Sequence, residues 1–255
     1  MEEFTTSEVR GVGSGDEKSA YSAYVDSIKI GSLEFRDCEV TVLNSRTVAG
    51  DDGLIGMDVF SNLLVTLDYP MRKLTLGPLP PRPQDAVNEK PALETSDGED
   101  SGAAPQDRYV APEMKDWTRV YRTGHALLVP ATLNQSPAKL FILDTGAFTT
   151  TISPQAAREV TKLHSGSGMN VRGISGKVEQ VYVTGAVKFE FGNIAQKAEE
   201  LVSFDTSAIS KDTGVEVSGF IGFTTLGQLT IKIDYRDALV KFEYNPNRGF
   251  RPPQR

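Results

Sequence analysis

The chain holds a single cysteine, Cys38, so no disulfide can form within it. It holds only two histidines, His125 and His164. One thiol and two imidazoles are too few for a Cys/His zinc cluster. A Ser-His-Asp or Cys-His enzyme would have to use one of those two imidazoles. His164 lies in the polar run Lys162-Leu163-His164-Ser165-Gly166, which reads as a loop, and His125 follows Gly124 at the start of a strand. Both read as surface or edge residues. No stretch approaches the roughly 18 consecutive apolar residues of a membrane span. Met1-Glu2-Glu3-Phe4 has no apolar core of a secretory signal. Basic charge is also short: 27 Lys and Arg against 34 Asp and Glu leave a net charge of −7. A nucleic-acid-binding surface is not expected from that balance.

What is present is ordinary globular material. The 255 residues, 39% of them hydrophobic, suffice for one large domain or two small ones. Residues 1–79 carry short strand-like runs. Residues 80–116 include Pro80-Pro81-Arg82-Pro83 and Glu94-Thr95-Ser96-Asp97-Gly98-Glu99-Asp100-Ser101-Gly102. That acidic, Pro-rich composition reads as a flexible linker. Residues 117–245 return to strand patterning, and 246–255 form a basic, Pro-rich tail.

An internal repeat organises the whole. Gly53-Leu54-Ile55-Gly56 aligns with Gly219-Phe220-Ile221-Gly222, 166 positions on. The register then holds without a gap: Leu63 with Leu229, Val65 with Ile231, Leu67 with Ile233, Asp68-Tyr69 with Asp234-Tyr235, Leu74 with Val240, Leu76 with Phe242. Apolar residues alternate in both copies, the period of a half-buried strand. Upstream, Val9-Arg10-Gly11-Val12 matches Val171-Arg172-Gly173-Ile174, and Ile30-Gly31 matches Phe191-Gly192.

The copies are unequal. The second is preceded by a run without counterpart in the first. Residues 126–133, the polar turn Asn134-Gln135-Ser136-Pro137, and residues 138–143 read as a β-hairpin. Thr149-Thr150-Thr151-Ile152 reads as a strand. Ser153-Pro154 then opens a short helix through Val160, with Ser as N-cap and Pro first. Helix is otherwise sparse, so the class is all-β.

The hairpin ends in Phe141-Ile142-Leu143-Asp144-Thr145-Gly146-Ala147. A buried strand holds the carboxylate firmly, the threonine offers a hydroxyl, and the glycine lets the backbone turn back toward the acid. Gly173-Ile174-Ser175-Gly176 reads as a hairpin tip. Four other acids are decoys. Asp212-Thr213-Gly214 follows polar residues and reads as a solvated turn. Asp205 reads as a strand terminus, and Asp68 and Asp234 as matching strand ends.

With these motifs the sequence resembles the retropepsin-like aspartic peptidases, especially bacterial ones. The resemblance covers 117–245 as a complete lobe and 9–79 as the later part of one. It implies an acid-protease-like closed β-barrel lobe, tandemly repeated with the first copy truncated. It implies peptide-bond hydrolysis by water held between two aspartates, without metal or cofactor. Carried over by motif, Asp144 is catalytic and Thr145, Gly146 and Ala147 form its supporting loop. Gly173, Ile174, Ser175 and Gly176 form a flap over a polypeptide substrate, and Phe220, Ile221 and Gly222 form the hydrophobic-hydrophobic-Gly motif. The flap lacks a tyrosine at its tip, unlike pepsin-type enzymes.

Only one convincing aspartate is present, so the second comes from a missing upstream half-lobe, or from a homodimer. In a third reading the chain is a catalytically inactive module that binds peptides or protein partners. An upstream signal peptide implies a periplasmic or secreted location; without one the expectation is cytoplasmic.

Overall fold

The computed structural model describes residues 6–9, 12, 18–43, 53–83, 108–166, 168–173 and 176–247. Among them β-strands dominate. The first half supplies β1 (Thr6–Val9), β2 (Lys18–Ile30), β3 (Leu33–Leu43), β4 (Leu63–Asp68) and β5 (Lys73–Pro78). Next come β6 (Thr118–Arg119), β7 (Tyr121–Thr123), β8 (Ala126–Leu133), β9 (Lys139–Leu143), β10 (Thr151–Ile152) and helix α1 (Pro154–Val160). Then follow β11 (Leu163–Ser165), β12 (Arg172–Gly173), β13 (Gly176–Lys177), β14 (Tyr182–Thr184), β15 (Val187–Phe191), β16 (Ile194–Ala198) and β17 (Val202–Ser203). The chain closes with α2 (Ser207–Thr213), β18 (Gly219–Ile221), α3 (Phe223–Leu226), β19 (Leu229–Asp234) and β20 (Leu239–Tyr244).

Two sheets matter for the site. The ten-stranded sheet runs β11-β14-β17-β10-β18-β9-β8-β15-β16, with β7 also on β8, and curls as a half-barrel. The five-stranded sheet runs β5-β4-β19-β20-β6. It therefore joins strands from both ends of the chain, β4 lying antiparallel on β19.

Local chemistry explains the main turns. Asn134 and Gln135 both have positive φ, 48° and 66°, as the tight two-residue turn between β8 and β9 requires. Asn134 also accepts from the Lys188 N–H and donates to the Val160 carbonyl, tying the turn to β15 and α1. Pro130 sits inside β8, yet costs no ladder bond there. It faces Leu140 of β9 on one side, and on the other it falls between the stretches paired with β7 and β15. Ser153 caps α1 by accepting from the Ala156 N–H at 3.2 Å, with Pro154 at the first helical position, as the sequence predicts.

One apolar core spans both sheets. Phe141, Phe189, Phe191 and Phe242 are fully buried and meet edge-on or tilted, at 4.9–5.2 Å between ring centroids. Each such ring contributes roughly 1.5–3 kcal/mol through burial. Val65 of β4 and Ile231 and Ile233 of β19 lie in the same cluster.

The segment read as a linker is packed at both of its ends. Met114 and Ala111 are buried against Leu239, with Tyr109, Val110 and Trp117 around them. Asp237 accepts from the Tyr109 N–H at 3.0 Å and pairs with Arg82 and Arg236. Residues 84–107 lie outside the described residues.

Candidate active site

Asp144 follows directly on β9, whose neighbour β18 runs parallel to it with Ile221 opposite Leu143. The Asp144 N–H donates to the Ile221 carbonyl at 3.1 Å, which places the acid beside Gly222. One carboxylate oxygen, Oδ1, accepts from the Gly146 N–H at 2.9 Å and the Ala147 N–H at 3.1 Å. The side chain is thus turned back over its own loop and held by two backbone donors. A Cβ on Gly146 would stand 3.3 Å from that oxygen, so the glycine gives the acid its room.

The loop is bolted down from the other side. Gly222 is buried, and a Cβ there would lie 2.7 Å from the carbonyl oxygens of both Ala147 and Thr149. Thr150 Oγ1 accepts from the Gly222 N–H at 3.0 Å and donates to Thr225 Oγ1 at 2.7 Å. The N–H groups of Phe223 and Thr224 donate to the carbonyls of Ala147 and Phe148. The hydrophobic-hydrophobic-Gly motif predicted from sequence, Phe220-Ile221-Gly222, therefore lies against the loop of Asp144, Thr145, Gly146 and Ala147. Thr145 is exposed.

An aromatic stack completes the wall. Phe148 stacks on Phe223 at 5.8 Å, and Tyr69 meets Phe223 edge-on at 5.8 Å. Burial, then the charge of Asp144, push the Tyr69 phenol up to about 12. Tyr69 belongs to the turn after β4 and was not among the residues singled out by motif. The repeat aligns it with Tyr235, but that alignment does not place it at the site, because its proximity to Asp144 arises from the β4–β19 pairing.

The predicted flap is a hairpin: Gly173 of β12 faces Gly176 of β13, and Gly176 has φ 103°. Its tip residues, Ile174 and Ser175, lie outside the described residues. Val12 backs onto Gly173 so closely that a Cβ on the glycine would lie 2.3 Å from the Val12 carbonyl oxygen. The decoys behave as local structure. Asp205 accepts from the N–H and hydroxyl of Ser207 just before α2. Asp212-Thr213-Gly214 is the C-terminus of that helix, not an isolated turn, with Gly214 at φ 71° as its cap. Asp68 and Asp234 end β4 and β19 and accept from the N–H groups of Met71 and Asp237, three residues on. His164 falls in β11 instead of a loop, and it and His125 are exposed.

No group of His, Cys, Asp or Glu among the described residues is arranged to hold a metal ion. No second carboxylate hydrogen-bonds to Asp144 among the described residues. A groove of about 820 Å³, lined by Arg158, Tyr182, Asp205, Lys211 and Glu216 among others, does not include Asp144. No helix among the described residues is long and apolar enough to cross a membrane.

No curated protein matches the chain. Among solved structures, an EIAV protease complexed with the inhibitor HBY-793 is similar at 18% identity and a TM-score of 0.28. The alignment covers 38% of this chain and 96% of that one. Residues 129–225, which run from β8 through the Asp144 loop and Gly222 to α3, match the family model for aspartyl protease.

Proposed function

We propose that this chain is an aspartic endopeptidase in which Asp144 is one of two catalytic carboxylates. The observation that carries the reading is the seat of Asp144. It sits at the end of a half-buried strand anchored by the buried Phe141, its oxygen fixed by the Gly146 and Ala147 N–H groups and its backbone bonded beside Gly222. The family match over the same residues supports it. The second carboxylate is supplied by an upstream segment or by a second chain.

The chemistry follows from placing two such acids together. Like charges in contact do not both ionise, so the pair keeps one proton through part of the acidic range. The ionised acid takes a proton from a water molecule as that water attacks the peptide carbonyl. The protonated acid hydrogen-bonds the carbonyl oxygen, and the proton is later passed to the leaving amine. Thr145, Gly146 and Ala147 hold the acid. Gly173, Ile174, Ser175 and Gly176 act as a flap that shields the site from bulk water when it closes.

Cleavage of an unstructured polypeptide at acid to neutral pH tests the reading, with Asp144→Asn as the control and a transition-state-mimicking peptide as inhibitor. One observation favours a second reading, that of a peptide-binding module without turnover: among the described residues Asp144 has no acidic partner. Binding of peptide by the intact protein without hydrolysis would favour that module.

A further inference from the structure

The two copies of the Gly-apolar-apolar-Gly motif stand in opposite environments. In the second copy, Phe220 and Ile221 are 7% and 0% exposed. They form β18, with β9 parallel on one side and β10 antiparallel on the other. In the first copy, Leu54 and Ile55 are 64% and 54% exposed and belong to no strand. Val59 is also exposed, where its counterpart Thr225 is buried. Yet the flanking structure is alike. The 3-10 turn Met57–Phe60 follows Gly56 just as α3 follows Gly222, and β4 follows as β19 does.

A second gap lies on the same half. β5 is an end strand of the five-stranded sheet. By the 166-residue offset, its Lys73 and Leu74 correspond to Leu239 and Val240 of β20. Those two are fully buried and pair with Arg119 and Thr118 of β6. Leu74 is 41% exposed. In the second copy both places are filled by one continuous stretch, β6 through β9.

From this we infer that Leu54-Ile55-Gly56 and the edge of β5 that carries no partner strand among the described residues form an acceptor site for one polypeptide segment. Its chemistry is that of residues 118–147: a short strand for the β5 edge, then a hairpin whose apolar second strand runs parallel to Leu54-Ile55 and delivers an acid at the level of Gly56. Backbone pairing supplies affinity and the apolar side chains supply register. A second folded copy is not the donor, because its own segment is committed to its core, with Val129 and Phe141 fully buried. The occupant is therefore a separate segment of that composition. The inference deepens the peptidase reading and rests on it for the role of the delivered acid, though not for the docking itself.

A synthetic peptide with the sequence of residues 118–147 is the probe. Fluorescence anisotropy with the full chain should show saturable binding. The double variant Leu54→Asp, Ile55→Asp should weaken it by roughly ten- to a hundredfold, the value of burying such side chains. Both positions are exposed, so the variant should keep the wild-type circular dichroism and melting temperature. Absence of binding, or binding indifferent to the double variant, overturns the inference. Binding that depends on Leu54 and Ile55 without any gain of peptide hydrolysis supports the acceptor site and contradicts the peptidase reading, so the two fail separately.

Discussion

Thr66 of β4 lies directly opposite Lys232 of β19. These two residues occupy the same place in the aligned copies, 166 positions apart. On either side the partners exchange: Val65 faces Ile233 and Leu67 faces Ile231. The pairing therefore has a local two-fold character centred on one residue pair. It places the turn after β4, with Tyr69, next to the loop that holds Asp144. Val65 and Ile233 are both buried, so they should couple energetically. Truncating each to Ala should cost about 0.5–5 kcal/mol, with a coupling of about 0.5–3 kcal/mol in a double-mutant cycle measured by denaturant unfolding. Strictly additive losses would show that the two halves do not share this core.

The asymmetry of the two glycines that open the repeated motif gives a sharper test. Gly219 has φ +154°, and a Cβ there would stand 2.1 Å from the Thr151 carbonyl oxygen. A Cβ on Gly53 would meet nothing within 4 Å. Gly219→Ala should destabilise by roughly 1–3 kcal/mol or more through overpacking and backbone strain. Gly53→Ala should stay within about 0.5 kcal/mol. Thermal or urea unfolding of both variants decides it, and equal effects would contradict the open environment of the first motif.

Tyr69 reports on Asp144 from a distance. Burial is the larger cause of its raised pKa of about 12, and the Asp144 carboxylate is the second. Asp144→Asn removes that charge and should lower the phenol's titration toward its ordinary value of 10.0. Ultraviolet absorbance of tyrosinate follows this directly. The folded pKa lies above the unfolded one, so the stability linked to this phenol is fully present below about pH 10 and is lost as pH rises through about 12. A phenol titration unchanged in Asp144→Asn would place the two groups out of electrostatic reach.

Asp237 anchors both ends of the stretch between β5 and β6. Burial works to raise its pKa, but hydrogen bonds from Arg82, the Tyr109 N–H and Arg236 outweigh it and hold the carboxyl below its ordinary range. A depressed carboxylate contributes stability above its unfolded pKa and loses it as pH falls through the folded one. Asp237→Asn should cost about 1.5–3 kcal/mol near neutral pH. The gap between wild type and variant should close as the pH drops below about 4. A gap that persists in strong acid would mean that the charge is not what holds these ends.

Much of the local structure around Asp144 was legible before any coordinates. The hairpin with its Asn134-Gln135 turn, the Ser153-Pro154 helix start, and the loop from Asp144 to Ala147 all rest on local chemistry, which a short window of sequence contains. The alternating apolar pattern likewise marked residues 63–68 and 229–234 as strands, which are β4 and β19. What sequence hid was environment. Leu54-Ile55 and Phe220-Ile221 look alike as text, yet one pair is covered and the other exposed, because covering depends on strands supplied from elsewhere in the chain. Tyr69 belongs to the repeated Asp-Tyr pair, yet nothing in that pair points to the site, which it reaches through strand pairing. The packed stretch 108–116 was taken with the acidic run before it, although Tyr109, Val110, Ala111 and Met114 already form an apolar set. Asp212-Thr213-Gly214 reads as a turn because the helix it ends, Ser207–Thr213, is only about two turns long, too short to show a period, while Gly214 marks the stop.

The central claim is that the carboxyl of residue 144 takes part in hydrolysis. The direct measurement is the initial rate of cleavage of an unstructured protein, from acid to neutral pH, by the full chain with the peptide of residues 118–147 added. Mass spectrometry of the products identifies the broken bonds. Wild type should cut with an acidic optimum, while Asp144→Asn, equally folded by circular dichroism, should lose activity by about a thousandfold or more, a barrier increase of about 4 kcal/mol. Cleavage by Asp144→Asn at the wild-type rate would contradict the account.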